Sequence, residues 1–214
     1  MNTRMRASIA FGILIMMSSA AFGYALLSPA RKWLTTPKNV RVDSRGLSSV
    51  TDFDHGVTAA VNAVTKWNNA PGGPTINILT SNSATVSYAQ GDGISDIIFG
   101  DPLHICKGSC IAATLTGYYN TGQTGTCGGL NVDAITDSDV AFNLRFNYQT
   151  VAEGGTCSNE IYLESVTTHE VGHLIGLGHS ASSSALMYAS VSYCVNKPLA
   201  TDDTNGRNAL YSCP

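Results

Sequence analysis

The pattern of apolar and polar positions divides the chain into an apolar N-terminal run, a strand-rich middle and an irregular final third. Alternating or short apolar runs predict strands at 39–44, 75–80, 84–89, 95–100, 111–118 and 138–143. Apolar residues from Asp52 to Asn68 recur at steps of three and four, which indicates an amphipathic helix. A second helix is predicted from about Ile161 to Leu177, and a third from near Thr201. This order of elements favours an α+β fold.

The composition is that of one folded domain with few charged side chains. The chain has 214 residues, of which 43% are hydrophobic, so it can bury a core and a wholly disordered protein is excluded. The formal net charge is -3, which argues against a nucleic-acid partner. Only 13% of residues are charged, so uncharged polar residues and glycine must carry much of the surface.

The first 25 residues have the layout of a secretory signal peptide. Arg4 and Arg6 precede an apolar run over 7–17, and small residues follow that run. The run is shorter than the ~20 residues of a spanning helix, which makes an uncleaved anchor the less favoured alternative. We therefore expect an extracellular protein with no stable membrane association. The expected divisions are a signal peptide over 1–25 cut near 21–25, a connector over 26–36 and a domain over 37–214.

The six cysteines follow an export signal, so they are interpreted as disulfides. Sequence alone does not choose among the pairings. Neighbours in sequence close the smallest loops, and this favours Cys106–Cys110, Cys127–Cys157 and Cys194–Cys213. The alternative is a redox or metal-binding role for the first two, which have CxxxC spacing.

The second predicted helix carries the motif HEVGHLIGLGH. His169 and His173 are four residues apart, so on a helix they project from one face, one turn apart. Glycines follow, and they allow the helix to end and the chain to turn back. That turn can bring His179 to the same ion. Three nitrogen ligands leave a fourth position for water, which is typical of one catalytic zinc ion and not of a structural one.

Glu170 follows the first of these histidines, and its carboxylate can reach a water molecule at the metal. Zinc lowers the pKa of such a water towards ~7. Glu170 would act as general base during attack on a carbonyl and then deliver the proton to the leaving amine. The motif therefore predicts hydrolysis of an amide. The alternative is a chance HExxH on an ordinary helix, but three of the five histidines lie in this one segment.

HEVGHLIGLGHS resembles the metzincin metallopeptidases and, within them, the matrixin branch, which includes the matrix metalloproteinases. Ser180 is a matrixin trait, and Met187 in ALMY resembles the Met-turn residue beneath the zinc site. Segments 135–143 and 201–211 resemble the strand ahead of the active-site helix and the closing helix. The resemblance implies a secreted zinc endopeptidase with a twisted mixed sheet, an active-site helix and a small irregular C-terminal lobe.

The same resemblance implies where a protein or peptide substrate would bind. In the family an extended peptide lies antiparallel to an edge strand, for which 110–116 is the candidate here. The expected contacts are Ile111, Ala112, Ala113 and Thr114. The alternative is an ordinary strand. The family's usual proline after the Met-turn is missing, since Tyr188 is followed by Ala189, so the shape of the nearby side-chain pocket is open.

Asp92 and Asp96 are candidate calcium ligands, with a solvated turn as the alternative. We expect a monomer. Two other functions compete with a secreted endopeptidase: a zinc-containing binding protein that has lost catalysis, and an amidase that acts on cell-wall peptides.

Overall fold

The structure is a computed structural model that describes residues 23–81, 92–119, 125–127, 130–151 and 156–212. Most of the expected signal peptide and the predicted strand at 84–89 lie outside these ranges. Within them, no helix has the length and apolar character needed to span a membrane.

The described part of the chain combines three helices with a mixed sheet, which confirms the predicted α+β class. The helices are α1 (Val57–Asn69), α2 (Leu163–Leu174) and α3 (Thr201–Tyr211). The strands are β1 (Ala25–Leu26), β2 (Arg31–Lys32), β3 (Lys38–Asp43), β4 (Ile76–Ser81), β5 (Ser95–Ile98), β6 (Ala112–Tyr119), β7 (Gly125–Cys127), β8 (Leu130–Phe142), β9 (Tyr148–Gln149), β10 (Ile161–Tyr162) and β11 (Leu177–Gly178).

The main sheet is mixed and follows the order β4, β3, β5, β8, β6. The strands β4, β3, β5 and β8 run parallel, whereas β6 pairs antiparallel with β8. The long strand β8 also pairs with β2 and β7 through its N-terminal half. Among the described residues β6 pairs only with β8, so its outer edge is open to an extended chain.

Helices α1 and α2 pack against each other beside the sheet. The apolar face of α1 is buried as its periodicity predicts, and its largest member, Trp67, is 1% exposed. The Trp67 indole N–H donates to the backbone oxygen of Thr168, at 2.7 Å. This buried hydrogen bond fixes α1 against the helix that carries the histidines.

The predicted start of α1 at Asp52 is wrong, because the helix begins at Val57. Gly56 has a φ of 86°, a left-handed conformation that cannot continue a helix. The Asp54 carboxylate accepts the backbone N–H of Thr58, at 2.9 Å, and so satisfies one of the free donors of the first turn. Phe53, counted as part of the apolar face, is 89% exposed.

The segment expected to be a connector packs into the domain. Strand β1 pairs antiparallel with β11, and β2 pairs parallel with β8. Trp33 is buried, and its indole N–H donates to the oxygen of Leu174, at 3.0 Å. These contacts tie the segment to the C-terminal end of α2, which is where the chain must turn.

Two disulfides are formed in the described residues, and one of them corrects the sequence prediction. Cys106–Cys110 is present as expected, which excludes a thiolate metal site there. Cys157 is bonded to Cys194, so the predicted pairs Cys127–Cys157 and Cys194–Cys213 are both wrong. These two cysteines are 37 positions apart in sequence. The Cys194 N–H donates to the oxygen of Glu160, at 2.9 Å, and this hydrogen bond holds the two segments next to each other. The side chain of Cys127 and all of Cys213 lie outside the described residues.

Loop length predicts that the two disulfides contribute unequally to stability. Replacing Cys157 and Cys194 by serine should lower the free energy of unfolding by about 4 kcal/mol, and the same change at Cys106 and Cys110 by about 2 kcal/mol. The reason is that a crosslink over 37 residues restricts the unfolded chain more than one over 4. Urea denaturation measures both values, and equal losses or the reverse order would contradict this explanation.

Candidate metal centre

Three histidines converge at the C-terminal end of α2. His169 and His173 lie one turn apart on the helix. The chain then turns at Gly176, where φ is 105° and where a Cβ atom would overlap the backbone oxygen of Arg31. Strand β11 follows and presents His179. The Nε2 atom of His173 lies 3.1 Å from that of His169 and 3.2 Å from that of His179.

Backbone carbonyls orient two of the three rings. The Nδ1 atom of His169 lies 2.9 Å from the oxygen of Leu186, and that of His173 lies 2.7 Å from the oxygen of Leu177. A carbonyl oxygen can only accept, so each Nδ1 carries the proton and each Nε2 offers a lone pair to the shared centre.

Burial keeps the rings of His169 and His173 uncharged at neutral pH. It lowers the pKa of His169 and of His173 to about 4, and it also lowers the pKa of His179. Neutral imidazoles are the form that binds metal ions. The three side chains could hold one ion through nitrogen donors, a set that suits zinc with a position left open.

Glu170 lies beside this centre and is almost completely buried, with 5% of its surface exposed. Burial raises the pKa of its carboxyl group, while the nearby His173 and a hydrogen bond from Thr114 act in the opposite direction. The Thr114 hydroxyl oxygen lies 2.6 Å from Glu170 Oε2. The carboxyl group therefore has a fixed neighbour on β6, which the motif on α2 could not reveal.

Met187 lies against α2 next to the histidines. It is buried, and a Cβ atom at Gly172 would overlap its sulfur atom, so only glycine allows this close approach. The buried carboxylate of Asp203 accepts the N–H groups of Leu186 and Met187, both at 2.9 Å. Asp203 thus holds the turn whose carbonyl orients His169. The sequence could not reveal this role, since no local signal separates Asp203 from its neighbour Asp202.

A cavity of about 290 Å³ opens beside the histidines. Two segments form most of its walls, one of residues 109–112 and one of residues 188–192 together with Val195 and Lys197. Val166 and Leu186 add apolar surface to the lining. Glu170 also lines the cavity, so the carboxyl group and the space for a substrate are in the same place.

The four residues predicted to bind substrate have different positions. Ile111 and Ala112 line the cavity, whereas Ala113 and Thr114 are not part of its lining. The carbonyl oxygen of Ile111 already accepts from the Asn143 N–H and the Tyr148 hydroxyl, both at 2.8 Å. The Ile111 carbonyl is therefore used in hydrogen bonds within the protein.

The candidate calcium ligands have other partners. Both oxygens of Asp96 accept from the Arg41 guanidinium at 2.6 Å. Asp92 accepts the N–H of Ile94, at 2.8 Å. Arg41 thus supplies the positive charge that a calcium ion would bring to Asp96.

The geometry and the sequence lead to one family. A family model for the matrixins matches residues 57–212, from the first residue of α1 to the end of the described chain. The chain belongs to the matrixin family. This confirms the resemblance inferred from the histidine motif, and the family is zinc-dependent, in agreement with the three nitrogen donors of this matrixin.

Named relatives support the same assignment over shorter stretches. The chain is 48% identical over 58 residues to "Metalloendoproteinase 1-MMP" of Arabidopsis thaliana, covering 27% of this chain and 16% of the relative. It is 37% identical over 89 residues to "Metalloendoproteinase 1" of Glycine max, covering 39% and 29%. It is 39% identical over 66 residues to "Matrix metalloproteinase-9" of Canis lupus familiaris, covering 30% and 9%. In each case the match spans less than a third of the relative.

Because Asp203 holds the Met187 turn, we expect a conservative substitution at this position to destabilise the protein strongly. Asp203→Asn places an NH₂ group where the carboxylate accepts buried N–H groups, so it should lower the free energy of unfolding by about 2–4 kcal/mol. Thermal and urea unfolding of the purified variant measure this loss.

The neighbouring residue provides the matched control. Asp202 accepts from the Ser180 hydroxyl, at 2.6 Å, and is only half-buried, so Asp202→Asn should cost about 1 kcal/mol or less. Similar losses at the two positions would show that Asp203 does not hold the Met187 turn.

Proposed function

We propose that this matrixin is a secreted zinc endopeptidase in which His169, His173 and His179 hold the metal and Glu170 is the general base. The observation that carries the proposal is that three histidine Nε2 atoms meet next to a buried carboxylate that lines the same cavity. An ion-binding site with no chemistry would not need that carboxylate in that cavity.

The chain's own residues supply the proton transfers. When bound, zinc would act as a Lewis acid that activates water and polarises the carbonyl of the bond to be cut. Glu170 takes a proton from the water as its oxygen attacks the carbonyl carbon. It then delivers that proton to the amine nitrogen as the carbon–nitrogen bond breaks. Its burial supports this role, because a carboxylate poorly solvated by water is a stronger base.

The open edge of β6 and the adjacent cavity would position the substrate. An extended peptide can add to the outer edge of β6 by backbone hydrogen bonds, near Ala112. The cavity would then receive the side chain next to the cut bond. Its apolar lining by Val166, Leu186 and Val191 favours an apolar side chain there. Ala189, in place of the family's usual proline, contributes to the wall of this cavity.

The environment we propose is extracellular, and the active form is a monomer. Disulfides persist in oxidising compartments, and two are formed in the described residues. The histidines, Glu170 and the cavity walls all come from one chain, so no second copy is needed to complete the site.

Removing the general base should separate catalysis from metal binding. Glu170→Gln should reduce cleavage of an unstructured protein such as casein by at least about 1,000-fold, while the protein still binds one zinc ion. Glu164→Gln is the control on the same helix, because Glu164 pairs with Lys66 away from the cavity. Cleavage that survives in Glu170→Gln would overturn the mechanism. A wild-type protein that binds zinc and cleaves nothing would favour the binding-protein alternative.

Burial of the histidines predicts how zinc affinity depends on pH. Protons compete for Nε2 only below each ring's pKa, and two of these values are about 4 where ordinary histidine has 6.5. Affinity should therefore fall by less than about 30-fold between pH 7 and pH 5, through His179 alone. If His169 and His173 had ordinary pKa values, zinc affinity would fall by a further factor of roughly several hundred over the same pH range. Competition titrations with a chelator at both pH values distinguish these results.

A further inference from the structure

The side chain of Thr114 reaches from β6 to Glu170 on α2. Its hydroxyl oxygen lies 2.6 Å from Glu170 Oε2 and 3.1 Å from the backbone oxygen of Glu170. Neither strand pairing nor metal binding requires this contact, since β6 is already held to β8 by backbone hydrogen bonds. Thr114 is therefore a polar side chain beside the general base that the mechanism above does not use.

The direction of the hydrogen bond follows from the chemistry of the atoms. Both Glu170 atoms are acceptors, and a threonine hydroxyl has one proton to donate. Hydrogen bonds from a hydroxyl to a carboxylate are shorter and stronger than those to a neutral carbonyl, and the Oε2 distance is the shorter one. Thr114 thus donates to Oε2.

This bond makes the two carboxylate oxygens unequal. Oε2 is occupied by Thr114, whereas no described residue forms a hydrogen bond with Oε1. Because Glu170 lines the cavity, the oxygen without a protein partner is the one available to a water molecule there. A glutamate side chain has several rotatable bonds, so one anchored oxygen also restricts where the other can be.

We propose that Thr114 is a positioning residue, whose hydroxyl holds Glu170 Oε2 so that Oε1 faces the attacking water. The inference rests on the proposed role of Glu170 as general base. It assigns Thr114 a side-chain role, in place of the backbone contact with substrate expected from the sequence. A carboxylate held in the productive orientation does not have to be ordered again in each catalytic cycle.

The same strand offers a matched control. Thr116 lies two residues along β6, on the same face, and its hydroxyl contacts the Ser138 hydroxyl at 3.1 Å. Thr116→Val therefore removes a hydroxyl from the same strand without touching Glu170, and it keeps the backbone groups of β6 through which a peptide would bind. Thr114→Ser keeps the donor and removes only a methyl group.

The experiment measures kcat and KM on a peptide substrate for the zinc-loaded wild type, Thr114→Val, Thr114→Ser and Thr116→Val. Thr114→Val should lower kcat by about 10- to 100-fold and leave KM within about 2-fold, because the bond orients the base and does not bind substrate. Thr114→Ser and Thr116→Val should stay within about 3-fold of the wild type. Unchanged kcat in Thr114→Val, or equal impairment of Thr114→Ser, would overturn the proposal.

A second readout does not depend on activity. The melting temperature of the metal-free protein is measured for Thr114→Val, Glu170→Ala and the double variant. Their effects should not add, since each single change removes the same hydrogen bond. Additive shifts would mean that the two side chains are not coupled, which contradicts the proposal.

Different results would disprove the role of Glu170 as general base and the role of Thr114 as positioning residue. If Glu170→Gln still cleaves, the proposed mechanism fails whatever Thr114 does. If Glu170→Gln is inactive and Thr114→Val keeps its kcat, the mechanism stands and only the positioning role is lost.

Discussion

The metal site requires three imidazole Nε2 atoms to present lone pairs to a single point. The helix spacing brings His169 and His173 together, but the carbonyls of Leu186 and Leu177 decide which ring nitrogen is free. Leu177 is placed by β11, which pairs with β1. Leu186 is held through Asp203 on α3. Elements far apart in sequence thus converge on the orientation of two rings.

Two disulfides hold the segments that line the cavity. One wall contains Cys110, which is bonded to Cys106. The other wall lacks regular secondary structure, but Cys194 binds it to Cys157 ahead of α2. A disulfide therefore holds each of these two lining segments, which suits a protein with few ion pairs among its described residues.

What the sequence could predict is what depends on residues close in the chain. The histidine motif and Glu170 share one helix and one turn, so spacing alone brings them together. The Cys157–Cys194 pair, the support from Asp203 and the hydroxyl of Thr114 depend on contacts between distant segments, which spacing does not encode. A local pattern can also mislead. Phe53 fits the helical period, but it precedes Gly56, where the backbone cannot be helical, so Phe53 is exposed and not part of the buried helix face.

In the proposed mechanism, a metal held by the three histidines makes this chain an endopeptidase. The most direct measurement is digestion of a peptide library by the purified protein, with product masses determined before and after a chelator removes the metal. We expect cuts at internal peptide bonds, preferentially beside apolar residues, which disappear with the chelator and return with one equivalent of zinc. Cleavage that is indifferent to the chelator, or a zinc-loaded protein that cuts no peptide, would contradict the account.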